Sequence, residues 1–197
     1  MNLEIKSLTP NLIPAYLDFF DNRAFSETDT NGPCYCTSPM QTSDEIDQMV
    51  SEFAGNIKGK IRCHAVKMLN EGRIHGYLAF YGDTVIGWCN ARDMSEYIKN
   101  RYQFVPDFAR EKAIGKTISV VCFSIAPEYR SKGVSTALLE RVITDAKAEG
   151  FEAVEGYAHI QKERYDMDFK GPARLYDKLG FVPVAEQDGV VVMRKTL

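Results

Sequence analysis

Residues 130–135 read Arg-Ser-Lys-Gly-Val-Ser, a turn carrying two cations, two hydroxyls and one glycine. An apolar, β-branched run over 118–125 precedes it, and Ala126, Pro127 and Glu128 break that run. Behind it Leu138, Leu139, Val142, Ile143 and Ala146 recur at helical spacing up to Gly150. The first amides of a helix lack intrahelical partners and carry the positive end of the helix dipole. A basic turn feeding such an end suits an anion, and Gly133 lets a ligand come close to the backbone. The same pattern also describes an ordinary strand–helix unit with solvated charges, and from these residues alone both readings stay open.

Other residue sets invite chemistry less well. Cys34-Tyr35-Cys36, with Cys63-His64 further on, suggests a metal. Zinc sites favour two to four residues between paired cysteines, however, and Cys-x-Cys holds two ligands awkwardly in a tetrahedron. No metal is expected. A cysteine nucleophile served by His64, His75 or His159 lacks a strand–turn–helix elbow or a triad-like context, and buried thiols are common core residues.

The chain that must position these groups has 197 residues, enough for one good core, and is expected to form a single domain over 1–197. A 45% apolar and 26% charged composition is that of a globular protein, and a net charge of −3 argues against a general nucleic-acid binder. No apolar run approaches the ~20 residues of a membrane span, so no membrane partner is expected. The N-terminal residues show no basic-then-apolar leader, and the five cysteines are an odd count. Reduced thiols and a cytoplasmic location are the expectation.

Alternation predicts a strand at 3–7, and Thr9-Pro10 starts a helix over 10–21, to which Pro14 is a mild objection. Residues 22–42 hold turn formers without periodicity, a loop long enough to suggest function. Ser43 or Thr42 opens a helix with Ile46, Met49, Val50 and Phe53 on its apolar face, and another helix spans about 60–71. Together these make an elaborated helical and loop region over about 10–71. Two strands flank the Gly82-Asp83 turn. Residues 93–115 give no clear period. A strand over 151–158, a polar loop over 159–170, a short helix over 172–179 closed by Gly180 and a final antiparallel pair complete the chain. Hairpins alternating with helical crossovers imply an α/β fold of α+β type: a mixed, mostly antiparallel sheet with helices on both faces.

Two segments resemble the GNAT superfamily of acyl-CoA-dependent N-acyltransferases. Residues 120–139, VVCFSIAPEYRSKGVSTALL, look like its coenzyme A motif, a strand entering an (Arg/Gln)-x-x-Gly-x-(Gly/Ala) turn and a helix. Residues 173–181, ARLYDKLGF, look like its Leu-Tyr-x-x-x-Gly-Phe motif. Their order and spacing match, and the likeness extends over residues 3–194. Ser135 departs from the usual small apolar residue. The asparagine often found before the second helix is absent, with Phe169-Lys170-Gly171-Pro172 standing there instead.

The resemblance implies acetyl-CoA as co-substrate, a GNAT-like sheet, and a pyrophosphate held by the amides of Arg130, Ser131, Lys132, Gly133, Val134 and Ser135. In the family the two central strands splay apart and the pantetheine arm pairs with the first; here Cys122, Phe123, Ser124 and Ile125 would offer that edge. Tyr176 falls at the general-acid position, and a phenol with a pKa of about 10 can protonate a departing thiolate; its other reading is a packing tyrosine. Glu155, Asp166, Asp168 or a water chain could serve as base. The 22–42 loop would line the acceptor pocket, and Trp88 and Asn90, on one face of their strand, either fill the core or reach that pocket. The acidic cluster of Glu27, Asp29, Asp44, Glu45 and Asp47 is a solvated run or weakly favours a cationic acceptor.

The expected activity is acetyl transfer to a primary amine of a small molecule by direct attack in a ternary complex, and a homodimer is compatible with it. A protein acetyltransferase acting on lysines or N-termini, and a non-catalytic acyl-CoA-binding module, are the alternatives.

Overall fold

The computed structural model describes residues 1–26, 34–52, 57–160 and 169–197. Seven strands form one sheet in the order β1-β2-β3-β4-β5-β7-β6. They are β1 (Glu4–Ser7), β2 (Tyr77–Tyr81), β3 (Thr84–Asp93), β4 (Thr117–Ile125), β5 (Ala153–His159), β6 (Val182–Gln187) and β7 (Val190–Thr196). Every neighbouring pair is antiparallel except β4 and β5. That pair needs a crossover, and the helix predicted from Leu138, Val142 and Ala146 supplies it.

Helices cover both faces, as the hairpin-and-crossover order predicts. They are α1 (Ile13–Asn22), α2 (Ser43–Glu52), α3 (Ile57–Asn70), α4 (Asp107–Glu111), α5 (Val134–Ala148) and α6 (Ala173–Asp177). Val134, Leu138, Leu139, Val142 and Ala146 of α5 pack on one face with Val120, Phe123, Val154 and Tyr176. Tyr16, Phe19 and Phe20 of α1 and Ala65 and Met68 of α3 pack on the other, around Trp88. Tyr16 meets Trp88 edge-on with ring centroids 4.9 Å apart.

Local differences from expectation have simple causes. Pro10 begins a short 3-10 turn over Pro10–Leu12, and α1 itself starts at Ile13. Pro14 therefore sits in the first turn, where no intrahelical N–H is required of it, and the objection disappears. Thr42 caps α2: its Oγ1 accepts from the Glu45 amide at 3.2 Å, while the Glu45 carboxylate accepts from the Thr42 amide at 2.7 Å. This reciprocal pair is a capping box. The apolar face expected of α2 is barely used, since Ile46 is its only buried residue and Val50 is 60% exposed; Phe53 lies outside the described residues. Residues 93–115 hold a 3-10 turn at Met94–Glu96 and the single-turn α4.

Two features of β4 prepare the site. A register shift at Asn90/Ala91 against β3 leaves Val121 as an extra residue. The parallel pairing with β5 covers only Thr117↔Ala153 through Val120↔Gly156. Beyond Val120 the two strands part, β4 running on to Ile125 beside β3 while β5 stays on β7. The sheet thus opens into a fork at its centre.

Candidate active site

The turn after β4 is shaped for an anion. A 3-10 turn at Pro127–Tyr129 redirects the chain, then Ser131 (φ 59°) and Gly133 (φ 85°) take left-handed conformations on either side of Lys132. Alternation of this kind points successive amides toward one concavity. Gly133 is the N-cap of α5, and a Cβ added there would meet nothing within 4 Å, so the approach to the amides is open. Ser131, Lys132 and Gly133 are exposed, and Val134 is buried in the core. Val134 thus leaves only its amide, not its side chain, to face the turn. Arg130 is exposed, and its Nε donates to the Ile125 carbonyl at 3.2 Å.

The fork adjoins this turn. Backbone direction alternates along a strand, so only every second residue of β4 can address the fork. The Ala126 amide donates to Ile86 of β3, which turns Cys122 and Ser124 toward β3 as well. Phe123 and Ile125 turn the other way, into the fork. Of the four predicted strand residues, these two carry the free edge. The Phe123 amide donates to the Phe169 carbonyl at 2.6 Å.

Tyr176 lies at the apex. Its ring covers Gly156, the last residue of β5 paired with β4, and any Cβ at Gly156 would collide with it. Gly156 is there because the phenol needs the space. Tyr176 is fully buried, stacks edge-on with Phe181 at 5.3 Å, and donates its hydroxyl proton to the Lys170 carbonyl at 2.6 Å. Tyr176 thus packs the core, with its hydroxyl held by the residue before Gly171.

Opposite, on the α1 side, a connected polar network lies under the fork. Tyr97 donates to Asn90 Oδ1 at 2.7 Å and to the Ser119 carbonyl at 3.3 Å. The Ser119 and Tyr157 hydroxyls are 2.5 Å apart. Glu155, fully buried, receives Arg194 Nε on Oε1 at 2.6 Å. Burial raises the Glu155 carboxyl above its usual range, against the pull of Arg194 and the nearby Tyr157 hydroxyl. Burial, followed by the Glu155 charge, also pushes the Tyr157 phenol up. Asn90 Nδ2 and Glu155 Oε2 are buried with no hydrogen-bond partner among the described residues. Such orphans are rare enough to ask for an explanation.

Sequence reasoning named Asn90 and Glu155 but missed Tyr97, Ser119, Tyr157, Lys170 and Arg194. A signal existed: Glu155 and Tyr157 are polar at alternate positions of an otherwise apolar strand. Of the other base candidates, Asp166 and Asp168 lie outside the described residues.

The remaining candidates have structural roles. Cys36 Sγ accepts from Trp88 Nε1 at 3.2 Å and contacts the Cys122 and Cys34 thiols. Among the described residues its partners are thus thiols and the Trp88 indole. The Cys122 contact pushes the Cys36 thiol up, as the Cys36 contact does for the exposed Cys34, so neither is a ready thiolate. Trp88 is fully buried in the core, and the portion of the 22–42 loop described here packs beside it through Tyr35 and Cys36. Among the described residues no group of three or more His, Cys, Asp or Glu is placed to hold a metal ion. Of the acidic cluster, Glu45 caps α2 and Asp47 pairs bidentately with Arg101 at 2.6 and 2.8 Å; Glu27 and Asp29 lie outside the described residues. Among the described residues no helix is long and apolar enough to cross a membrane.

Comparison with known proteins bears on the same segments. No curated protein matches. Solved structures similar in fold include the PaiA N-acetyltransferase of Thermoplasma acidophilum in complex with coenzyme A (TM-score 0.52, 17% identity, 100% of both chains). A GNAT-family acetyltransferase of Streptococcus pneumoniae (TM-score 0.53, 18%, 100% of this chain and 99% of that one) is another. A mosquito arylalkylamine N-acetyltransferase-like protein 5b (TM-score 0.56, 13%, 100% of both) is a third. The sequence model of the acetyltransferase (GNAT) family matches residues 44–181, which contain the basic turn, the fork and Tyr176. This chain belongs to the acetyltransferase (GNAT) family and is an acyltransferase.

Proposed function

We propose that the protein transfers an acetyl group from acetyl-CoA to the primary amine of a small molecule, by direct attack within a ternary complex. The whole chain acts as one domain in this reading, since a single sheet runs from Glu4 to Thr196. The observation that carries it is the continuity of fork and turn: the edge of β4 at Phe123 and Ile125, which β5 does not pair, leads directly to the amides around Gly133.

The amides of residues 130–135, with Arg130 and Lys132, would hold the pyrophosphate. The edge of Phe123 and Ile125 would pair with the pantetheine arm. Bound there, acetyl-CoA supplies an acyl group whose carbonyl carbon the amine attacks, the C–N bond forming as the C–S bond breaks. Tyr176, at the apex, delivers its proton to the departing sulfur. On the opposite side the ammonium proton must leave before attack. Tyr157, Ser119 and Glu155 form the polar path available to it, and the orphan Glu155 Oε2 is an acceptor for it. Once the C–N bond has formed, the nitrogen sheds its second proton along the same polar path to solvent, and proton balance closes when Tyr176 is reprotonated from solvent.

A small acceptor is favoured over a peptide by how the acceptor side is closed. Asn100 Nδ2 donates to the Ser38 and Gln41 carbonyls at 2.8 and 2.9 Å, and the Ile98 amide donates to Pro39 at 3.3 Å. Among the described residues, the two loops flanking this face are thus laced to each other, which suits a small acceptor. The arylalkylamine name of one similar fold agrees with such an acceptor. Calorimetry with coenzyme A, followed by an amine panel scored by thiol release and mass shift, tests the reading. Coenzyme A binding and acetylation of at least one small amine are expected. No binding and no turnover on any amine would refute it.

A further inference from the structure

The fork is not left open by this chain. Residues 169–171 enter it as a strap with several attachments among the described residues. The Phe169 carbonyl accepts from the Phe123 amide at 2.6 Å. The Lys170 carbonyl accepts from the Tyr176 hydroxyl at 2.6 Å. Lys170 is 5% exposed, and its Nζ lies 3.4 Å from the Gln103 carbonyl. The Phe169 ring packs on Phe104 with centroids 6.2 Å apart. Gly171, at φ 80°, rests near the Phe123 ring, which a Cβ would meet at 3.4 Å.

Each backbone contact uses a group that the transfer reaction also requires. The Phe123 N–H is the strand-edge donor that β5 leaves unpaired, and the arm of a thioester needs that edge. The Tyr176 O–H is the proton that the leaving sulfur needs. One short, well-formed hydrogen bond saturates one N–H or one O–H, so strap and donor cannot both have them.

We infer that residues 169–171 are a displaceable strap that occupies the thioester slot of the free protein, so that donor binding withdraws the strap and releases the Tyr176 hydroxyl in the same movement. This rests on the donor reading given above and adds a competition to it. The acid is held by Lys170 until the slot is filled. The strap also touches Gln103 and Phe104 on the acceptor side, so its withdrawal loosens that loop as the donor arrives. The energetic consequence is a reduced apparent affinity, because coenzyme A binds only the fraction of molecules with the strap out.

Weakening the strap should therefore tighten coenzyme A, whereas weakening an ordinary wall of a binding site would loosen it. Gly171→Ala strains the left-handed residue in the docked state alone, since the released strap can relax its φ. Lys170→Met removes the Gln103 attachment and keeps an apolar stem of similar length. Both are made in the full chain and titrated with coenzyme A by calorimetry, beside the unaltered protein, with circular dichroism confirming folding. The expected result is a dissociation constant lowered on the order of five-fold in Gly171→Ala, and lowered less in Lys170→Met. Tightening in either folded variant supports the strap. If the unaltered protein binds coenzyme A and neither folded variant binds more tightly, the strap is overturned and the donor reading stands. If neither the unaltered protein nor either variant binds, the donor reading fails and the strap with it.

Discussion

The two faces of the sheet solve the same packing problem in different ways. On the α5 face, the basic turn is flanked by apolar elements that are contiguous in sequence: strand, turn and helix follow one another from Thr117 to Ala148. On the α1 face, buried polar groups are wired together by contacts between distant residues. Trp88 meets Cys36 across 52 positions and Asn100 meets Ser38 across 62. The donor half can therefore be specified by local pattern and backbone amides. The acceptor half depends on side chains brought together by tertiary structure, and such an arrangement can change its substrate without changing the fold.

The contrast breaks first at Glu155, where the acceptor half is most expensive to disturb. Glu155→Gln removes the charge facing Arg194 while both are buried, and losing one partner of such a pair costs about 3–5 kcal/mol. Urea denaturation should show that loss, with a lower midpoint at neutral pH. A change of only a few tenths of a kcal/mol would mean that water already reaches the pair.

Tyr176→Phe comes next and touches the donor half. The ring still fills the space over Gly156, so the fold should hold, with the loss of one buried hydrogen bond worth about 1 kcal/mol. Without the acid, turnover should fall by about 10²-fold. Because the Lys170 carbonyl also loses its partner, coenzyme A affinity should stay level or rise. Undiminished turnover would leave Tyr176 as a packing residue; a weakened coenzyme A affinity would place its hydroxyl among the donor-binding groups.

Gly133→Ala sharpens the comparison inside the donor half. A Cβ there meets open space, so the variant pays only for left-handed backbone, ~1–2 kcal/mol in stability. The added methyl stands where the pyrophosphate would approach, and coenzyme A affinity should drop about ten-fold. Gly171→Ala carries the opposite sign, although both glycines are left-handed and both border the same ligand. Finding the same sign for both would erase the distinction between cradle and strap.

The unequal legibility of the two halves follows from this difference. The 118–125 run, the turn glycine and the stripe of Leu138, Val142 and Ala146 could be read because each signal repeats within a few residues. All seven strands were legible for the same reason. The strap at 169–171 was not, and the fork beyond Val120 could be expected only from the family resemblance. The fork is an absence of pairing between two strands that each look regular. The strap hides in a segment whose polar lysine reads as exposed but is buried at Tyr157 and Gln103. Val50 failed in the other direction: it fits the apolar face of α2, yet it is 60% exposed, so its spacing carried no burial.

The smallest effect concerns His64 on α3, the helix that covers the acceptor half. Burial, then the positive charges of Arg73 and Lys67, hold its imidazole below the usual 6.5, while Glu45 and Glu71 pull weakly the other way. Its Nε2 is buried without a hydrogen-bond partner among the described residues, so protonation would place an uncompensated charge inside. As pH falls through 6.5 the unfolded chain takes up the proton first, and the folded chain follows only at lower pH. In that window the unfolded state binds more protons, so stability declines on acidification; above it both states are neutral and the full stability is present. His64→Gln keeps the size and polarity but cannot titrate. The fall in the urea midpoint between about pH 7.5 and 5 should be shallower in the variant than in the unaltered protein. Parallel slopes in the two would mean that water reaches the imidazole, and the α1 face would then be looser at its rim than the packing of Ala65 and Met68 implies.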